Sequence, residues 1–194
     1  MTDCNTIELD VAILGPNLKA GLISQENYMV FQPMLPEVVG SSISPRHVAN
    51  PLRLLCRNAQ VLRGHVESID WPGRSLVLNA GPFSGNLKVH YSHLVLALGS
   101  ITDLRRIPGM PEHACMMKNI GDAMHLRATL LGRIEEANLD PSPEIKRRLL
   151  TFVVVGGGYS GVETAGHIVD LFRAIHIYYP NVAESDVQVH LVHS

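Results

Sequence analysis

The residues best placed to do chemistry are glycines. Gly156-Gly157-Gly158-Tyr159-Ser160-Gly161 satisfies the spacing G-x-G-x-x-G. Gly156 can turn tightly out of a preceding element, Gly158 lets main chain approach a diphosphate with no Cβ in the way, and Gly161 lets a following helix pack closely. Free N–H groups and the positive dipole end of that helix then face the phosphates. Ser160 invites a second reading as a nucleophile in a G-x-S-x-G elbow, but Val162 stands where that motif needs its last glycine. Diphosphate binding is the better account.

Such a turn works only between the right elements. Before it, Thr151-Phe152-Val153-Val154-Val155 is an apolar run without polar alternation, which predicts a parallel strand buried on both faces. After it, Val162, Ala165, Ile168, Val169, Phe172 and Ile175 recur at helical spacing. Val187-Gln188-Val189-His190-Leu191-Val192 then lies far enough on for a crossover, so the unit predicted is a βαβ. A dinucleotide fold places an acid at the carboxyl end of this second strand for a ribose hydroxyl. Here that end reads His193-Ser194, while Glu184 and Asp186 precede the strand and sit at its wrong end. The choice between NAD and NADP therefore stays open.

A second candidate nucleotide region opens the chain. Val11-Ala12-Ile13-Leu14-Gly15 reads as a strand and first glycine, and Ala20-Gly21-Leu22-Ile23-Ser24 as the next strand, with only Pro16-Asn17-Leu18-Lys19 between them. Four residues suit an antiparallel hairpin and are far too few for a parallel crossover. Residues 25–53 contain Pro33, Pro36, Pro45 and Pro51 and are predicted as ordered loop with short helical turns; Tyr28, Val30, Phe31, Met34, Leu35 and Val38 are assigned to core or pocket wall, with Phe31 as a buried anchor.

Residues 61–69 form a strand leading into the turn Trp71-Pro72-Gly73-Arg74 and back through Ser75-Leu76-Val77-Leu78, a β-hairpin; Leu87–Tyr91 follows as a further strand segment. His93–Leu98 is another buried-type strand, closed by Gly99, where backbone can approach a ligand. Residues 118–138 read as a helix with a stripe of Ile120, Met124, Leu126, Leu130, Leu131 and Ile134. The fold class expected is α/β: two Rossmann-like dinucleotide-binding regions, both incomplete, with an inserted β-hairpin or meander. Ile107-Pro108-Gly109 marks a boundary, dividing 1–108 from 109–194.

Composition narrows the partners. Sixteen basic against eighteen acidic residues in 194, with no long basic run, argue against nucleic acid. No apolar run reaches transmembrane length, and the acidic start MTDCNTIELD is unlike a signal peptide, so a cytoplasmic location is expected. Cys4, Cys56 and Cys115 are odd in number and widely spaced, which disfavours a redox-active disulfide. The ten histidines show no metal-ligand spacing, so no metal is expected.

These residues carry a resemblance. The order Tyr28-x-x-Phe31-Gln32-Pro33-Met34-Leu35-Pro36-Glu37-Val38, then Leu94–Ser100, then Ile107-Pro108-Gly109, then Val155–Glu163, resembles the type II NADH dehydrogenase branch of the two-dinucleotide-binding flavoproteins, from Asp10 onward. The resemblance implies hydride transfer from NAD(P)H to FAD and electrons onward to a membrane quinone. By position it implies cofactor binding by Gly156, Gly157, Gly158, Tyr159, Ser160 and Gly161, and places Glu163 near the nicotinamide end in a catalytic role. The other reading of Glu163 is an acid in a helix's first turn, favoured by the dipole alone. Gly15, Val66, Ala97 and Gly99 match FAD-contacting backbone, and Gln25 lies near the usual ribose-binding acid.

The first glycine motif is reduced to Gly15-Pro16, and the later family segments, including the membrane-binding and quinone part, are absent. A fragment or internally deleted copy that binds FAD poorly or not at all is therefore expected, with peripheral membrane contact only through the absent part. Two alternatives remain: a non-catalytic NAD(P)-binding module, and a ferredoxin or nitrite reductase type of the same superfamily.

Overall fold

The structure, a computed structural model, describes residues 10–14 and 20–193. In chain order the first elements are β1 (Asp10–Leu14), β2 (Ala20–Ser24), β3 (Tyr28–Val30), α1 (Leu35–Val39), β4 (Ala49–Pro51), α2 (Leu52–Leu55) and β5 (Ala59–Arg63). Then come β6 (His65–Asp70), β7 (Ser75–Asn79), β8 (Asn86–His90), β9 (His93–Ala97), α3 (Met110–His113), α4 (Ile120–Leu139) and α5 (Pro143–Leu149). The last are β10 (Thr151–Val155), α6 (Tyr159–Ile175) and β11 (Gln188–Val192). They form two compact units. One holds the described residues up to Met29 with Asn50–Asp103; the other holds Val30–Ala49 and the residues from Leu104 onward.

In the first unit a four-stranded sheet has the order β5-β2-β1-β9. β1 pairs antiparallel with β2 (Ala12 opposite Leu22) and antiparallel with β9 (Ala12 opposite Val95), whereas β2 and β5 are parallel (Leu22 opposite Val61). Three strands thus share one direction and β1 runs against them, the hairpin that the short connection requires. β6, β7 and β8 form a separate antiparallel meander. The predicted strand over 61–69 is in fact two strands, parted at Gly64. A Cβ at Gly64 would lie 2.5 Å from the Asn79 carbonyl oxygen, so only glycine lets the chain pass from one sheet to the other there. Ile23, Val66, Leu76, Leu78 and Tyr91 make this unit's core. The Trp71–Arg74 turn is held by Asp70 Oδ1, which accepts from Gly73 N at 3.0 Å.

In the second unit helices α1, α4 and α6 pack around Leu35, Val38 and Val39, Leu130 and Ile134, and Ile168, Leu171 and Phe172, all buried. Residues 30–49 belong here because Leu35, Val38, Val39 and Val48 enter this core, a grouping that a single cut near Pro108 misses. β10 and β11 pair in parallel, with Val153 opposite His190 and α6 as the crossover, giving the predicted βαβ. Phe152 on β10 stacks on Phe172 of α6 with centroids 5.2 Å apart, which ties strand to helix.

Several expectations about burial are corrected. Val153 and Val155 are 59% and 50% exposed: in the two-stranded sheet only Phe152 and Val154 pack against the core. On β9, Val95 and Leu96 are exposed for the same reason, since β9 is an edge strand and only Leu94 packs inward. Phe31 is half exposed, while Leu35 and Val38 carry the packing. On α4 the buried stripe is Ala123, Leu130, Ile134 and Ala137, with Met124 turned outward; on α6 Val162 is exposed and Thr164 takes the inner position.

Candidate functional site

At the glycine turn the structure requires glycine at two positions for different reasons. Gly156 has φ +116, a conformation that L side chains rarely adopt, and its N–H extends the strand ladder by donating to the Val192 carbonyl at 2.9 Å. Gly161 sits where a Cβ would fall 1.8 Å from the Gly156 carbonyl oxygen, so α6 can approach β10 this closely only without a side chain. Gly158 differs from both: a Cβ there meets nothing within 4 Å, which leaves main chain open to a ligand.

The helix that follows is left uncapped. Gly158 is the N-cap of α6 and supplies no side-chain acceptor, and the first turn carries no acid. The contrast with its neighbours is direct. α4 begins with a capping box, Asn119 Oδ1 accepting from Asp122 N at 2.9 Å and Asp122 Oδ2 from Asn119 N at 3.1 Å, and Ser142 caps α5. A helix start with no side-chain acceptor of its own, next to a glycine turn, can take an external anion. Thr164, which the sequence pattern did not single out, anchors this start: its hydroxyl is buried and donates to the Ser160 carbonyl at 2.6 Å.

Tyr159 and Ser160 open the helix and are exposed at this end. Glu163 is its fifth residue, one turn in and exposed, so the first-turn dipole reading of Glu163 does not apply. Gly157 faces neighbouring protein rather than open space: a Cβ there would meet His193 Cγ at 2.7 Å. The cleft lined by Pro143, Lys146, Arg147, Ser185, Asp186 and Gln188 lies at the amino ends of β10 and β11, opposite the turn.

In the first unit, the residues expected at a flavin nucleotide are partly gathered. Gln25 directly follows β2 and Ala97 ends β9; both lie at the carboxyl ends of the strands that share one direction, where ligands of α/β sheets bind. Gln25 Nε2 and His65 Nδ1 are 2.7 Å apart, and Arg63 Nε donates to the Gln25 carbonyl at 3.1 Å. Gly99 has φ +65 with open space around it, and Val66 is buried in the core beside this end. Gly15 itself lies outside the described residues. Leu14, just before it, pairs with Ala20 and His93 at the amino ends of β2 and β9, the far end of a five-residue strand. That is roughly 14 Å from Ala97 at 3.4 Å per residue. The reversed β1 thus ends away from the carboxyl ends of β2 and β9, where Gln25 and Ala97 lie. The residues of the second unit fit a pyridine nucleotide; the described residues of the first do not complete a flavin site.

Residues 7–194 match the pyridine nucleotide-disulphide oxidoreductase family. The chain belongs to that family. Several of its relatives within that family are NADH:quinone oxidoreductases. The type II NADH:quinone oxidoreductase Ndh of Mycobacterium tuberculosis is 37% identical over 153 residues, covering 77% of this chain and 33% of the relative. The external alternative NADH-ubiquinone oxidoreductase of Yarrowia lipolytica mitochondria is 34% identical over 167 residues, covering 81% and 28%. Among solved structures, NDH2 from Plasmodium falciparum in complex with NADH superposes with a TM-score of 0.79 at 25% identity, covering 87% of this chain and 35% of that one. The chain spans about a third of the length of the family members it matches. Among the described residues, no helix is long and apolar enough to cross a membrane, and Cys56 and Cys115 are free thiols.

Proposed function

We propose that this chain is the nucleotide-binding part of an NADH:quinone oxidoreductase of the type II class, with NAD(P)H held at the Gly156–Gly161 turn. The observation that carries the reading is the uncapped start of α6 beside Gly158, whose Cβ position is empty, combined with the close packing at Gly161. Main-chain N–H groups there hold the diphosphate, and the dipole of α6 favours its charge. Tyr159 and Ser160 flank it, and Glu163, one turn further, lies toward the nicotinamide. In the full oxidoreductase a bound FAD would supply the redox chemistry, as hydride acceptor from NAD(P)H and electron donor to a quinone. Gln25, Ala97 and Gly99 form this chain's remaining part of the flavin site.

The reversed β1 favours a second reading for the chain on its own: nucleotide binding without turnover. Titrating the purified chain with NADH while recording flavin absorbance separates the two. NADH binding with little bound flavin and no quinone reduction is the result expected of the isolated chain. A stoichiometric yellow protein that reduces quinone would show that the first unit holds FAD despite its geometry, and a chain that binds no NADH would remove the proposal.

A further inference from the structure

The adenosine ribose of a nucleotide on a βαβ unit lies beside the carboxyl end of the second strand, where a carboxylate accepts from the 2′-hydroxyl and repels a 2′-phosphate. Here that strand is β11, and the residue after it is His193. Its position is fixed by two observations. The Val192 carbonyl accepts from Gly156 N at 2.9 Å, joining the end of β11 to the glycine turn. The His193 ring lies against Gly157, where a Cβ would fall 2.7 Å from its Cγ and 3.0 Å from its Nδ1. The imidazole is exposed on the rim of the turn.

The acids that precede β11 do not take its place. Glu184 and Asp186 precede β11, and both are engaged: Glu184 Oε1 accepts from Arg173 Nε at 2.8 Å, and Asp186 Oδ2 accepts from Ala183 N at 2.9 Å. An imidazole differs from a carboxylate in the two respects that matter. It is neutral or cationic and never anionic, so it does not repel a 2′-phosphate, and a ring N–H can donate to phosphate or to ribose oxygen.

We infer that His193 is a specificity-determining residue that opens the site to 2′-phosphorylated nucleotides, so that this chain binds NADPH at least as well as NADH. The inference rests on the nucleotide site proposed above, and the test separates the two. The full chain is titrated with NADH and with NADPH, followed by the fluorescence of each, and the titrations are repeated on His193→Glu and His193→Gln. NADPH should bind with a Kd no weaker than that of NADH. His193→Glu should shift the NADPH-to-NADH ratio toward NADH by about 10- to 100-fold through like-charge repulsion. His193→Gln, which is neutral, should move the NADPH-to-NADH ratio far less than His193→Glu because it adds no like charge, and it supports the same comparison if the glutamate variant folds poorly. Tight NADH with NADPH weaker by about tenfold or more in the parent chain, or an unchanged ratio in a folded His193→Glu, overturns the specificity role and leaves the nucleotide site standing. Failure of both nucleotides to bind overturns both.

Discussion

Gly158→Ala separates folding from binding at the proposed site. Gly158 has φ −74 and ψ 174, extended backbone open to any residue, and a methyl group there touches nothing within 4 Å. Two effects on folding then oppose each other. Alanine is a poorer N-cap than glycine by up to about 1 kcal/mol, but it gives up less chain entropy, a gain of about 0.4–1 kcal/mol. The sum should stay within about 1 kcal/mol, a Tm change of about 4 °C or less for a chain of this size. Binding is affected very differently, because the methyl occupies the space that main chain needs for approach to the diphosphate. One charge-assisted hydrogen bond lost there is worth about 1.5–3 kcal/mol, so NADH affinity should fall about 10- to 150-fold. Calorimetric titration with NADH and thermal unfolding on the same preparation measure the two quantities together. Parent-like affinity in a variant whose Tm has not moved would refute the placement of the diphosphate at Gly158.

Gly161→Ala should behave in the opposite way. Its Cβ would collide with the Gly156 carbonyl oxygen, so α6 must shift from β10, at a destabilisation of about 1–3 kcal/mol by analogy with overpacked cores; the thermal midpoint should drop by several degrees, with NADH binding lost as well. Tyr179 donates to Glu135 Oε1 at 2.8 Å, and this bond, then burial, then the carboxylate charge raise its phenol above the ordinary 10.0. A raised value in the folded state means that the bond's contribution is complete at neutral pH and is lost as the pH climbs through the raised value. Denaturant unfolding across alkaline pH should therefore show a shallower loss of stability for Tyr179→Phe than for the parent; parallel curves would remove the role assigned to the bond.

Local signals in the sequence translated well into local structure. The glycine turn, the strand before it, the helix after it and the parallel return of β11 all follow from residues close together in the chain. The β1–β2 hairpin was equally legible, because a four-residue gap leaves the backbone no other course. Legibility ended where packing depends on distant partners. An unbroken apolar run at 151–155 says that a strand can be buried on both faces, but only the neighbouring layers decide whether it is, and here Val153 and Val155 have half their surface open. The proline-rich segment around Phe31 marked Leu35 and Val38 as core or pocket wall, but gave no sign that the core they join is that of α4 and α6. The division of 61–69 at Gly64 depends on the Asn79 carbonyl across the meander, which no window along the chain reveals. At the site, the histidine directly after β11 was readable, whereas its contact with Gly157 needed three dimensions.

The reversed direction of β1 also bears on how the first unit assembles. Its pairing with β2 joins near neighbours along the chain, and ladders of that kind close within about 1–10 μs. Its other ladder, with β9, has to wait until the intervening meander has been laid down. A sheet made only of parallel crossovers would have no early contact of this sort, since every pairing would span a helix. The reversal of β1 therefore gives the first unit a fast, self-contained starting point for folding.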